Sequence, residues 1–304
     1  MTINGQTKAA GLLGYPVRHT KSPMIHNTLA GAEDNNMVYL PFEVKPEDLE
    51  SAVKGAFALG LVGMNVTVPH KEKVIPFLED IDPLASAIGA VNTLVRGKEG
   101  YIGYNTDILG LKMALDQAGI PIRGEKVLIL GAGGAARAVS FLCAREGAAE
   151  LVIANRSIDK AESIREDLLG YLANEGGKNL GESSIRAVSL GKLTEEIPDE
   201  SGRYLAFQCS SVGLAPDMEG CILSGDTEGV FDRISAGVDL IYKPMETVFM
   251  RKLREQGKTA MGGLDMLLYQ GVIAYELWRG RGGEKIETDP KLLDQIREKL
   301  QEDV

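Results

Sequence analysis

The chain has 304 residues, 44% of them hydrophobic and 25% charged, with a formal net charge of −10. That length suits two domains of roughly 100 to 200 residues with a cleft between them, and the apolar content is ample for two cores, which sets disorder aside. An acidic balance of 43 Asp plus Glu against 33 Lys plus Arg argues against nucleic acid or an anionic membrane as the main partner, so any anionic ligand needs locally placed positive charge.

In chain order, the first block reads as a strand at Ala9–Leu13, a helix at Pro23–Ala32, a strand at Val38–Phe42, a helix at Pro46–Leu59 and a strand at Gly63–Val66. A polar loop then runs to Lys71, followed by helices near Val74–Glu79 and Asp82–Ile88 and a strand pair at Asn92–Arg96 and Gly100–Gly103. The helix Ile108–Ala118 ends at Gly119, with Pro121 just beyond. From Lys126 a fresh βαβ unit starts: a strand at Val127–Leu130, a glycine turn, a helix at Ala135–Glu146 and a strand at Leu151–Ala154. The Gly-, Asn- and Ser-rich stretch Gly170–Ser184 reads as a surface loop. Strands near Tyr204–Gln208 and Val238–Ile241, a helix at Thr247–Gln256 and two last helices, Leu264–Arg279 and Pro290–Gln301, complete the chain.

Short apolar runs alternating with longer amphipathic ones predict an α/β fold with mostly parallel sheets. Residues 1–107 with 264–304 are expected to form one domain, and 108–263 a second, inserted domain. Cys143, Cys209 and Cys221 are an odd count without metal-ligand spacing, as in a protein with reduced cytosolic thiols, and no metal site is expected. The polar start, Met1 to Lys8, lacks the regions of a signal peptide, and no apolar run approaches the roughly 18 residues of a membrane span. The expectation is a cytoplasmic protein, a monomer or homodimer, acting on a small molecule rather than on nucleic acid or membrane.

Gly131-Ala132-Gly133-Gly134-Ala135-Ala136 follows a buried-strand run directly and opens a helix. Gly131 suits the tight turn, Gly133 lets the backbone approach a pyrophosphate, and Ala136 permits close helix–strand packing, with the helix N-terminus supplying donors. About 20 residues on, where a ribose 2′-hydroxyl reader would be acidic, the chain has Asn155-Arg156-Ser157. Arg156 is a fork-shaped donor suited to a phosphate, Asn155, Ser157 and Lys160 add donors or charge, and the expected cofactor is NADP rather than NAD.

Lys71 ends the polar loop Asn65-Val66-Thr67-Val68-Pro69-His70-Lys71, and Asp107 stands just before the helix at Ile108. Facing one another, they can exchange a proton with a carbinol oxygen as hydride leaves carbon; taken singly, they read as a surface lysine and a helix-capping aspartate. Thr20 and Ser22 offer hydroxyls, or helix caps before Pro23. Asn92 and Gln270 offer amides and Tyr242 a phenol for a small polyhydroxylated acid. His19, His26 and His70 have no metal-ligand grouping and read as loop-fixing hydrogen-bonders. Trp278, Met266 and Leu267 read as packing residues, with Met266 a candidate contact for the nicotinamide side.

Jointly, these segments resemble the shikimate dehydrogenase family with its quinate/shikimate relatives. The matching pieces are Gly14–Pro23 with His26-Asn27, Asn65–Lys71, Gly89–Thr93, Asn105-Thr106-Asp107, Gly131–Ala136, Asn155–Ser157, Asp239–Pro244 and Gly263–Leu267 with Gln270. The resemblance implies NADP-linked, reversible reduction of 3-dehydroshikimate to shikimate in aromatic amino-acid biosynthesis. It implies Lys71 and Asp107 as the catalytic pair, and Thr20 and Ser22 on the substrate carboxylate. Asn92, Asp107 and Gln270 would hold its hydroxyls, Thr67 and Tyr242 would line the pocket, and the Gly263 and Met266 segment would lie by the cofactor. It also implies an N-terminal substrate domain completed by C-terminal helices, with a Rossmann domain inserted. The chain departs from the family at Thr20, usually Ser, at Ile108, often Gly, and at Gln208–Gly213. Quinate/shikimate dehydrogenation with NAD or NADP is the nearest alternative, and a non-catalytic ligand sensor on the same scaffold is an alternative of another class.

Overall fold

A computed structural model describes residues 2–175, 180–197, 203–280 and 288–302. The chain forms two compact units, Met1–Leu111 with Asp265–Asp303, and Lys112–Leu264.

The first unit contains β1 (Lys8–Gly14), α1 (Ser22–Ala32), β2 (Met37–Glu43), α2 (Leu49–Ala58), β3 (Gly63–Val66), β4 (Asp80–Ile81), α3 (Pro83–Ile88), β5 (Thr93–Arg96), β6 (Tyr101–Tyr104) and the start of α4 (Thr106–Gln117). Its sheet has the order β2-β1-β3-β5-β6-β4. β1 lies parallel to β2 and β3, whereas β5 runs antiparallel to β3 and β6. Helices return the chain between β1, β2 and β3, while the short Gly97–Gly100 turn can only fold β5 back antiparallel on β6. Glu79 fastens that turn by accepting hydrogen bonds from the Glu99 and Gly100 amides at 3.1 and 2.9 Å. Leu13, Val53, Met64, Val66, Leu94 and Tyr101 form the core beneath α2.

The second unit runs β7 (Lys126–Leu130), α5 (Gly134–Arg145), β8 (Glu150–Asn155), α6 (Ile158–Glu175), β9 (Ile185–Ser189), α7 (Leu193–Glu196), β10 (Tyr204–Gln208), β11 (Ile234–Asp239), α8 (Val248–Glu255) and β12 (Thr259–Met261). All six strands are parallel, in the order β12-β11-β10-β7-β8-β9. β7, β8 and β10 carry near-continuous apolar runs because helices cover both faces of a doubly wound sheet. Strand order reverses between β7 and β10, and a crevice at the carboxyl ends of two such strands is where this architecture binds ligands. The chain ends with α9 (Leu264–Trp278) and α10 (Pro290–Glu302), the latter packed on α1.

Three local expectations change. Gly170–Glu175 is helical rather than loop: Ala161, Ile164 and Leu168 are buried at helical spacing, and Tyr171 continues the row onto Phe141 with ring centroids 5.2 Å apart. That contact offsets the roughly 1 kcal/mol that Gly170 costs a helix relative to Ala. Residues 176–179 of the expected loop lie outside the described residues. Val74–Glu79 shrinks to a 3-10 turn, Ile75–Phe77, with Pro76 inside it, and α4 starts two residues early, at Thr106.

Candidate active site

Lys71 is delivered by the buried strand β3. Thr67 closes that strand with its amide on the Leu13 carbonyl, the His70 amide bonds back to the Thr67 carbonyl at 2.9 Å, and the Val91 amide donates to the Lys71 carbonyl at 2.8 Å. His70 is fully buried and its Nε2 meets the Val44 carbonyl at 2.7 Å, so Nε2 carries the proton and donates. With its backbone fixed on both sides, Lys71 extends its Nζ to Asp107 Oδ2 at 2.7 Å. The two side chains are 33% and 22% exposed, enough for a ligand to reach both.

Asp107 lies in the first turn of α4 rather than ahead of it, and it does not cap the helix. Asn105 takes that part, its Oδ1 accepting from the Ile108 amide at 3.3 Å while its Nδ2 donates to the Ala90 carbonyl at 3.0 Å. Relieved of capping, the Asp107 carboxylate is available to Lys71.

A buried polar network supports this corner. Asn92 Oδ1 accepts from the Thr106 amide at 2.7 Å and from the Thr93 and Thr106 hydroxyls at 3.1 and 3.2 Å. Asn65 Nδ2 donates to Thr93 Oγ1 and to the Asn92 carbonyl, and the Tyr39 hydroxyl donates to Asn65 Oδ1 at 2.8 Å. Burial pushes the Tyr39 phenol well above its ordinary range. With its oxygen committed, Asn92 offers a ligand only its Nδ2 donor. Asn65, Thr93, Asn105 and Thr106 stand in segments quoted from the sequence but are given no role there, and Tyr39 is not singled out; the available signal is Asn65, a polar side chain inside an otherwise apolar strand.

Thr20 and Ser22 come together, the Thr20 hydroxyl donating to Ser22 Oγ at 3.1 Å and accepting from the Ser22 amide at 3.2 Å. The residue preceding α1 is Lys21, which makes no side-chain cap. Thr67 is partly exposed at the end of β3. Gln270 lies on α9, nearly buried, with Nε2 on the Leu267 carbonyl at 2.9 Å, and Met266 is one turn earlier. Gly110 brings α9 against α4: a β-carbon there would stand 2.6 Å from the Gln270 amide nitrogen and 2.9 Å from the Met266 carbonyl oxygen. His26 is not a hydrogen-bonder as expected. It is buried with neither ring nitrogen in a well-formed hydrogen bond, stacked on Tyr39 at 4.2 Å and tilted against Trp278 at 4.9 Å, and burial, opposed in part by the neighbouring Asn65 side chain, holds its pKa down at about 3. A separate recess of about 530 Å³ over Phe57, Phe77 and Tyr101 includes none of these residues.

In the second unit the turn after β7 presents backbone. Gly131 has φ +118°, a conformation L side chains avoid, and a β-carbon there would press on the Cys209–Ser210 peptide at 3.2 Å. Ala132 is partly exposed, Gly133, Gly134 and Ala135 are exposed, and Ala136 is buried under α5, whose first turn contains no acid. These are the conditions for holding a pyrophosphate. At the end of β8, Asn155 Nδ2 donates to the Ser157 carbonyl at 2.9 Å, leaving Arg156, Ser157 and Lys160 exposed. Neither Arg156 nor Lys160 forms an ion pair among the described residues, and no acid stands at Asn155–Ser157, the nearest being the exposed Asp159 in the first turn of α6, so the donor set fits a 2′-phosphorylated dinucleotide. Tyr242 is 37% exposed beyond β11, and the Gly263 amide donates to the neighbouring Ile241 carbonyl at 2.9 Å. Among the described residues no group of three His, Cys, Asp or Glu side chains is placed to hold a metal ion, and the three cysteines are free.

Fold and site define the class: an α/β protein whose doubly wound unit has a dinucleotide-type turn and whose other unit bears a carboxylate-paired lysine. Residues 12–94 match the family profile described as shikimate dehydrogenase substrate binding domain, 112–182 that of shikimate/quinate 5-dehydrogenase and 263–282 that of the shikimate 5′-dehydrogenase C-terminal domain. The shikimate dehydrogenase (NADP(+)) of Carboxydothermus hydrogenoformans is 42% identical, covering 92% of this chain and 94% of its own. Among solved structures, the shikimate 5-dehydrogenase of Listeria monocytogenes in complex with shikimate and NAD superposes with TM-score 0.85 at 30% identity, covering 99% and 98% of the two chains. That of Thermus thermophilus with NADP(H) and shikimate gives 0.78 at 30%, covering 97% and 100%. The chain belongs to the shikimate dehydrogenase family.

Proposed function

We propose that the chain is an NADP-dependent oxidoreductase that reversibly reduces 3-dehydroshikimate to shikimate, a step of aromatic amino-acid biosynthesis. The carrying observation is the Lys71–Asp107 contact at 2.7 Å, braced by the Asn92–Thr106 network. When bound, the reduced nicotinamide supplies the hydride. Lys71 donates the accompanying proton to the carbonyl oxygen, directly or with water, and takes it back in the oxidative direction; Asp107 holds the amine in register and accepts a substrate hydroxyl. Asn92 Nδ2 and Gln270 bind hydroxyls, Thr20 and Ser22 bind the carboxylate, and Thr67 and Tyr242 line the pocket. Gly131, Ala132, Gly133, Gly134 and Ala135 cradle the pyrophosphate. Asn155, Arg156, Ser157 and Lys160 hold the 2′-phosphate, and Gly263 and Met266 belong to the nicotinamide side.

The test is absorbance at the NADPH band with 3-dehydroshikimate, where consumption of NADPH is expected. Binding of both molecules without turnover would instead make the protein a sensor. A second reading, quinate oxidation with NAD, draws on the extra methyl of Thr20 and on the NAD bound in the Listeria relative. Quinate with NAD outperforming shikimate with NADP would establish it. The protein works in the cytoplasm on small molecules, as a monomer or a homodimer, which light scattering on the eluting protein decides.

A further inference from the structure

The deepest polar cluster of the second unit lies at the carboxyl ends of β10 and β11, and no role above uses it. Gln208, Asp239 and Thr247 are 1%, 0% and 1% exposed. Gln208 Oε1 accepts from the Ser210 amide at 2.6 Å and its Nε2 donates to the Val212 carbonyl at 2.9 Å, so its amide spans the 209–212 loop and fixes its curvature. Asp239 Oδ1 receives the Ile241 amide at 3.0 Å and, more distantly, Gln208 Nε2 at 3.5 Å, while Oδ2 receives the Thr247 hydroxyl at 2.6 Å. The Leu240 amide then donates to the Gln208 carbonyl at 3.1 Å, closing a ring of bonds around both strand ends.

That ring stands at the switch point of the sheet. Gln208 ends the strand paired with β7, opposite Leu130, and the Cys209 amide donates to the Leu130 carbonyl at 2.8 Å. The Cys209–Ser210 peptide is the surface a Gly131 side chain would strike. A dinucleotide lying across such a point has its adenosine half on the β8 side, over Asn155–Ser157, and its nicotinamide half on the β10 side. The 209–212 loop is therefore the wall of the nicotinamide half.

We infer that Asp239 and Gln208 are positioning residues that lock this wall and so set affinity for the nicotinamide half of the cofactor; the inference rests on the dinucleotide reading above. Every group facing Asp239 is a donor, which suits an ionised carboxylate. Burial pushes its pKa up to about 6, so at neutral pH the carboxylate is charged and accepts all three bonds. An amide in its place would turn a donor toward a donor.

The test is direct binding to the full chain of NADPH and of adenosine 2′,5′-bisphosphate, which occupies only the adenosine side, together with steady-state constants. Asp239→Asn is expected to weaken NADPH about tenfold, the usual effect of unpairing a buried charged hydrogen bond, while the bisphosphate changes less than about twofold. KM for the acid substrate stays within about twofold. Gln208→Leu gives the same split, and the double variant loses clearly less than the product of the single losses, because both act on one loop. Should Asp239→Asn fail to fold, Gln208→Leu performs the same comparison. Equal losses for NADPH and the bisphosphate would overturn the inference, since general loosening of the unit affects both halves alike. An unaltered protein binding neither molecule would overturn the dinucleotide reading itself.

Discussion

The two units prepare their sites by opposite means. In the first, side chains do the work: Lys71, Asp107 and Asn92 are each restrained by bonds made before any ligand arrives. In the second, the surface offered at Gly131–Ala135 is backbone, and Arg156 and Lys160 project positive charge beyond β8. A side-chain site is broken by a single substitution at the group itself. A backbone site is broken by whatever shifts the chain, or by removal of the charge at its rim.

The contrast breaks most sharply at Lys71. Lys71→Ala is expected to lower kcat by about 10² to 10⁴ with a smaller effect on KM, the range for a positioned acid or base. An unchanged kcat would take the ammonium out of the chemistry. On the other side, Arg156→Ala is expected to weaken NADPH by about 1.5 to 3 kcal/mol and leave NADH nearly unaltered. Equal losses in isothermal titrations of the two cofactors would remove the 2′-phosphate role.

Thr93→Val sharpens the claim that the first site is held from beneath. The valine keeps the shape but leaves Asn65 Nδ2 without one acceptor and Asn92 and Thr106 without a hydroxyl neighbour. About 1 to 3 kcal/mol of stability should be lost, read from urea denaturation, together with a fall in kcat. Full activity in a destabilised protein would mean that the network supports the fold and not Asp107.

The same division explains what the sequence disclosed. Parallel strands with apolar runs, the glycine turn and the missing acid at Asn155–Ser157 are local patterns, and a local pattern survives in one dimension. β9 and β12 did not register because each is a short edge strand with polar or charged residues and no strong alternation. Lys71 and Asp107 could be named as chemical types, but their approach depends on β5 lying between β3 and β6 and on Asn105 taking over the helix cap. Asn65 and Thr93 are partners because β3 and β5 pair antiparallel with those residues opposite each other, a register that neither segment carries alone. The Gln208–Asp239 ring is hidden for the same reason, its members lying 31 residues apart on adjacent parallel strands.

The smallest effect separates the units by pH. His26 in the first unit has its pKa pressed by burial from 6.5 to about 3, so between those values only the unfolded chain takes up the proton. Stability from this group is present above pH 6.5 and falls as the solution is acidified, by about 1.4 kcal/mol per pH unit at most. Asp239 in the second unit has the opposite sign: its pKa is raised from 3.8 to about 6, so the folded form holds the proton more tightly and the group's contribution improves on acidification from about 6 to 3.8. Trp278 is the sole tryptophan and lies 4.9 Å from His26, so its fluorescence follows the first unit, while hydrogen exchange in β7 and β10 follows the second. The urea midpoint by fluorescence should drop from pH 6.5 to 4, and His26→Phe, which keeps an aromatic ring in the stack, should flatten that slope by one proton's worth. In Asp239→Asn the exchange-derived stability of β7 and β10 should lose its gain on acidification. An unchanged slope in His26→Phe would show that the proton is taken up elsewhere, and that the stacked histidine is already protonated in the fold.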